Sequence, residues 1–182
     1  MGLDMYLKKK TYVGAEHEHR KVTGVVDIKV NDEALPIDFK RISNIEESLG
    51  YWRKANHIHN WFVENVQHGE DDCKEYYVDN SQLEELLNTC IKVRDSLINS
   101  KESIKLEIGT GEDVVEDIPI FTDTSVAEEL LPTSSGFFFG GTQYDEYYLD
   151  KIDYTIELIQ SILKDRNEKG YLPYDVYYQS SW

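Results

Sequence analysis

Tyr51 to Gln67 read YWRKANHIHNWFVENVQ, and the way this stretch folds decides where the rest of the chain must go. It gathers two Trp, two His and two adjacent cations into a helical pattern. Leu49, Tyr51, Trp52, Ala55, Ile58, Phe62, Val63 and Val66 fall on one apolar arc. Ser43 with Glu46 three residues on has the form of a capping box. The spacing therefore predicts one helix from about Ser43 to Gln67, ending before Gly69. On its wheel His59 lies near the centre of the apolar arc, with Asn56 and Gln67 at the edge. Arg53, His57, Asn60 and Glu64 share the polar flank, and Trp61 points away from the arc.

Working outward, Leu3, Met5 and Leu7 alternate with polar residues, which is a strand pattern. Lys8-Lys9-Lys10, the one basic run, reads as the end or edge of that strand. Glu16 to Arg20 is a polar loop. His17 and His19 would share a face on a strand and chelate a metal there, but the composition is that of a solvated turn. Val22–Val30 and Leu35–Phe39 form a hairpin about Asn31-Asp32. Lys74–Val78 is a short aromatic strand.

A capping box from Ser81 to Glu84 opens a second helix, with a stripe of Leu83, Leu86, Leu87, Cys90, Ile91, Val93, Leu97 and Ile98. Arg94 projects into that stripe and needs a carboxylate, an anionic ligand or a stem that reaches solvent. Residues 101–120 read as an inserted hairpin or loop, and Ser125–Leu131 as a short helix stopped by Pro132. Phe137-Phe138-Phe139 between glycines reads as a buried strand. A third long helix spans about Tyr144 to Asp165, with Asp145 and Glu146 in its first turn. Tyr174–Trp182 alternates as a last strand that pairs in the main sheet beside the first and buries Trp182. Strands near both termini, with helices between and no βαβ alternation, predict a single α+β domain over 1–182. Its sheet is mostly antiparallel and packs against about three helices.

Composition narrows the function. The 182 residues carry a formal charge of −16, which disfavours direct binding to a phosphate backbone. No long apolar run marks a membrane span, and no secretory segment is present, so the expectation is a soluble cytoplasmic protein. Cys73 and Cys90 fit neither a disulfide framework nor a zinc pattern, and Cys90 reads as a buried free thiol. His57 and His59, two apart on a helix, diverge by about 200° and do not share one metal. No cofactor motif is visible: Gly136–Gly141 lacks the Gly-Lys-Ser/Thr of a P-loop, and no Gly-x-Ser-x-Gly elbow occurs.

Four segments resemble a family of small, uncharacterised proteins of bacteria and their phages. They are MGLDMYLKK with TYVG, YWRKANHIHNWFVENVQ, LLPTSSGFFFGGTQYDEYY and YYQSSW. The resemblance spans the chain except the 101–120 region and assigns no activity. A phage setting implies a host-interaction or anti-defence role.

Three functions follow as expectations. In the first, Arg53, Asn56, His59, Trp61, Arg94, Tyr144 and Asp145 line a pocket for a small anionic, nucleotide-like ligand, cations taking phosphate and aromatic faces stacking on a base. Gly140–Thr142 and the start of the last helix would add backbone N–H groups. In the second, an acidic surface rich in tyrosine (13 Tyr, 3 Trp and 6 Phe) blocks the basic site of a host protein. In the third, His59 with Asp145 or Glu146 serves a small hydrolase. No metal is assigned; the carboxylates of the last helix do not complete a ligand set.

Overall fold

The computed structural model describes residues 2–13, 28–35, 37, 41–108 and 114–182. A four-stranded antiparallel sheet is built from β1 (Asp4–Tyr12), β4 (Asn44–Arg53), β5 (Glu75–Val78) and β8 (Asp175–Ser181), in the order β4-β1-β8-β5. Four helices accompany it: α1 (Asn56–Asn65), α2 (Asn80–Asn99), α3 (Ser125–Leu130) and α4 (Glu146–Leu163). Two separate ribbons complete the described elements, β2 (Lys29–Val30) with β3 (Glu33–Ala34) and β6 (Lys101–Ile108) with β7 (Val114–Phe121). The fold is a single α+β domain whose main sheet pairs the first strand with the last.

Alternation puts Leu3, Met5 and Leu7 of the β1 segment and Val176 and Tyr178 of β8 on one buried face. Onto it pack Ile58 and Phe62 of α1, the Leu83, Leu86, Cys90, Val93 and Leu97 stripe of α2, and Leu149, Ile152, Ile156 and Ile159 of α4. Burying each such aliphatic side chain contributes about 1.5–3 kcal/mol. Phe62 stacks flat on Tyr178 at 3.9 Å, and the buried Trp52 indole donates to Thr155 Oγ1 at 2.9 Å. Cys90 is a buried free thiol, as read from its place on the stripe.

The helix expected from Ser43 to Gln67 is half strand. Residues 44–53 form β4, antiparallel to β1, and only Asn56–Asn65 is helical. Non-local pairing overrides the local pattern: β4 is paired with β1 along its whole length and buries Trp52, and across the pair Lys8 and Lys10 meet Glu46 and Lys9 meets Glu47. Ser43 Oγ meets Asn44 Oδ1, so it caps nothing. The lysine run therefore lies in an interior strand, where Glu75 on β5 takes Lys8 and Lys10 as well. Gly50 lets β4 pass beneath α4, since a Cβ there would meet Leu158 Cδ2 at 2.2 Å.

Other boundaries shift for local reasons. The capping box of α2 is Asp79 with Gln82, with both reciprocal bonds formed, rather than Ser81 with Glu84. Phe137 to Phe139 form a turn and not a buried strand; Phe137 is 94% exposed. Trp182 is half exposed, its indole N–H tied to Asp71 Oδ1 at 3.1 Å. The expected Asn31-Asp32 turn is present, both residues at positive φ, whereas most of the two strands expected around it, and His17 and His19, lie outside the described residues.

Candidate functional site

Three pieces of backbone meet at Leu3. Its carbonyl accepts from the Lys54 N–H at 2.8 Å, and its own N–H donates to the Phe138 carbonyl at 3.2 Å. The end of β4 is thereby laid beside the Ser134–Gln143 loop. Lys54 turns the chain through φ 56°, and α1 begins with Ala55 at its N-cap, so no side chain caps the helix. The first N–H groups of a helix have no partner within it, and a cap residue of Ala's type supplies none.

Asn56 fixes the loop. Its buried amide donates to the carbonyls of Phe139 (3.2 Å) and Gly141 (2.8 Å), and its oxygen accepts from the Ser134 N–H at 3.1 Å. Gly140, at φ 97°, lies against Lys54; a Cβ there would come within 2.9 Å of the Lys54 Cβ and 3.1 Å of its carbonyl oxygen. Tyr147 on α4 closes the other side by donating to the Arg53 carbonyl at 2.8 Å. Between these parts lies a shallow seat of about 20 Å³, lined by Lys54, Asn56, His57, Gln143, Asp145 and Tyr148 among others. Such a volume admits one water-sized group.

Lys54 is the one cation in the lining. Among the described residues neither Arg53 nor Lys54 has a carboxylate partner, and Lys151 stands over the Tyr147 ring at 4.6 Å. Asp145 is the one carboxylate in the lining, and it is spent as the N-cap of α4, accepting from the Tyr148 N–H at 3.0 Å. His57 forms an inner wall, its ring tilted against Tyr148 with centroids 4.1 Å apart. Its Nε2 is buried with no hydrogen-bond partner among the described residues. Burial, assisted by the nearby Lys151 charge, lowers its pKa to about 3 and keeps the ring neutral.

Asn56 and Asp145 are thus brought together in the lining, with Asn56 engaged on the loop; Arg53 adjoins them through its carbonyl, while its side chain lies by Gly2. Tyr144 backs the same loop, its phenol oxygen accepting from the Thr133 N–H at 3.3 Å and its ring against Tyr148. The other three lie elsewhere. Trp61 is buried and lines a second cavity of about 180 Å³ with His57, Asn60 and Leu130–Pro132. Arg94 reaches the surface of α2 and pairs with Asp95 at 2.8 Å. His59, 1% exposed, is closed on both nitrogens: Nδ1 lies 2.8 Å from the Tyr178 hydroxyl and Nε2 3.1 Å from Asp71 Oδ1. One proton arrangement satisfies all three groups, with Tyr178 donating to Nδ1 and Nε2–H donating to Asp71. Burial lowers the His59 pKa against the pull of Asp71, and the ring acts as a structural link.

Sequence reasoning missed Lys54, His57, Gln143, Tyr147 and Tyr148. Lys54 had a signal, as half of an adjacent cation pair in a strongly acidic chain. His57 was assigned to a polar flank, because nothing local shows that Tyr148 covers it. No group of three or more His, Cys, Asp or Glu among the described residues is placed to hold a metal, and no described helix is long and apolar enough to cross a membrane. Comparison with protein-family models, with curated proteins and with solved structures finds no match.

Proposed function

We propose that the protein binds a small anionic ligand of nucleotide-like build where α1 begins. The observation that carries this reading is the uncapped N-terminus of α1 beside Arg53 and Lys54, two cations without carboxylate partners among the described residues, in a chain of charge −16. Helix N-termini favour phosphate oxygens through their free N–H groups and dipole, and charged donors strengthen the contact. Phe137 and Phe138, T-stacked at 4.6 Å and exposed on the loop that Asn56 anchors, offer faces for a base. The resemblance to bacterial and phage proteins supports sequestration of a signalling nucleotide in an anti-defence setting as the biological role. His59 takes no chemical part in this reading, because both its nitrogens are engaged inside the fold.

The test is ligand-induced thermal stabilisation across a panel of mononucleotides and signalling dinucleotides. A ligand present at a hundred times its Kd stabilises the fold by about 2.7 kcal/mol. Arg53→Ala with Lys54→Ala should abolish that shift and leave the melting temperature of the free protein nearly unchanged. A panel that moves nothing at millimolar concentration ends the proposal.

A further inference from the structure

The far edge of the sheet carries a second concave surface, remote from the α1 seat and made of different chemistry. β5 is an edge strand, and Tyr77 projects from it 55% exposed. The segment leading into β8 runs alongside, with Tyr171 64% exposed. Between them lies an open groove of about 520 Å³ whose walls include Tyr77, Tyr171, Leu172, Tyr174, Asp79 and Asp175.

These walls are held in place. The Tyr174 hydroxyl donates to Asp165 at 2.6 Å, and Lys9 sits behind its ring at 5.1 Å. Tyr77 packs edge-on against Tyr177 at 5.8 Å. Asn80 donates to the Gly170 carbonyl at 3.2 Å, tying the segment to the start of α2. Asp79 spends its Oδ1 on Ser81 and Gln82 as the N-cap of α2, which keeps it ionised, so it offers the groove its charge, and Asp175 has no ion-pair partner among the described residues. After burial, the charges of Asp175 and Asp79 are the next causes that raise the Tyr77 phenol pKa, so both act on the same stretch of groove.

We propose that this groove binds a proline-rich peptide segment bearing Lys or Arg, the rings of Tyr77, Tyr171 and Tyr174 taking prolines and Asp79 and Asp175 taking the cations. A polyproline II segment arrives already ordered and packs its rings on aromatic faces at small entropic cost. The charge complement selects against acidic or neutral segments. Addition of a strand to β5 is the weaker occupant, since that edge offers four residues.

The test is a titration of the whole protein with a nine-residue peptide of three Arg-Pro-Pro repeats, followed by aromatic NMR shifts. Controls carry Glu for Arg or Ala for Pro. The expected result is saturable movement of the Tyr77 and Tyr171 ring signals, about tenfold weaker binding in Tyr171→Ala, and about threefold weaker, less salt-sensitive binding in Asp175→Asn. Tyr77→Ala is a second aromatic variant, checked by thermal unfolding. No movement at 1 mM peptide, roughly equal binding of the Glu peptide, or roughly equal binding of the Ala peptide, which would indicate strand addition, each overturns the proposal.

Discussion

The hydroxyl of Tyr178 lies 2.8 Å from Nδ1 of His59, joining β8 to α1 inside the core. Tyr178→Phe keeps the stack on Phe62 and removes only the oxygen. The His59 nitrogen is then buried without its donor, which costs about 1–3 kcal/mol. Urea unfolding should show a lower midpoint with an unchanged slope.

Asn56 is expected to be among the most sensitive polar positions. Asn56→Ala strands two carbonyls and one N–H and should cost about 3 kcal/mol. Asn56→Asp keeps the acceptor for Ser134 but turns a negative oxygen towards the Phe139 and Gly141 carbonyls, so it should be no better tolerated at neutral pH. Both variants should shift the Phe139 ring signals, because the loop loses its anchor.

His57 predicts the acid limb of the stability curve. Its folded pKa, lowered to about 3, lies below the ordinary 6.5. The unfolded chain therefore binds more protons between those values, and stability present above about pH 6.5 is lost as pH falls. Within that window His57 alone contributes a slope of about 1.4 kcal/mol per pH unit. His57→Phe should flatten the limb while keeping a ring against Tyr148. Some slope remains, since the His59 pKa is lowered too. An unchanged limb in His57→Phe would show that the ring is solvated.

Gly140→Ala should destabilise the fold by about 1–2 kcal/mol, because its backbone lies in the left-handed region. The new methyl also presses on the Lys54 carbonyl, so the variant should weaken ligand-induced stabilisation more than it lowers the midpoint.

Arg94→Ala should change stability by less than about 0.5 kcal/mol. Its partner is the neighbouring, exposed Asp95, and exposed pairs of this kind contribute little.

The sequence made the architecture readable where a pattern was self-sufficient. Alternation in Leu3–Leu7 and Val176–Ser180 gave two adjacent strands, and the α2 and α4 stripes gave their buried faces. It failed where a distant partner decided the outcome. Ser43 and Glu46 looked like a cap because the Lys8–Lys10 strand that claims Glu46 and Glu47 lies far away in the chain. Phe137 looked buried because hydrophobicity carries no record of Asn56 holding the neighbouring backbone. Within the site, Asn56 and Asp145 were recognisable by type. Lys54 and His57 became meaningful once the loop and α4 had closed over the start of α1.

The order β4-β1-β8-β5 also has a kinetic meaning. β1 pairs on one side with β4 and on the other with β8, and Lys8 bonds to Gln179 across a separation of 171 residues. Contacts of such long range form slowly, because a large loop must close before they repay it. During synthesis the strand at the middle of the sheet waits with one side open until β8 has been made. Lysines along an open strand edge disfavour its pairing with another copy of the same strand, so the run that meets Glu46, Glu47 and Glu75 in the finished sheet suits that interval as well.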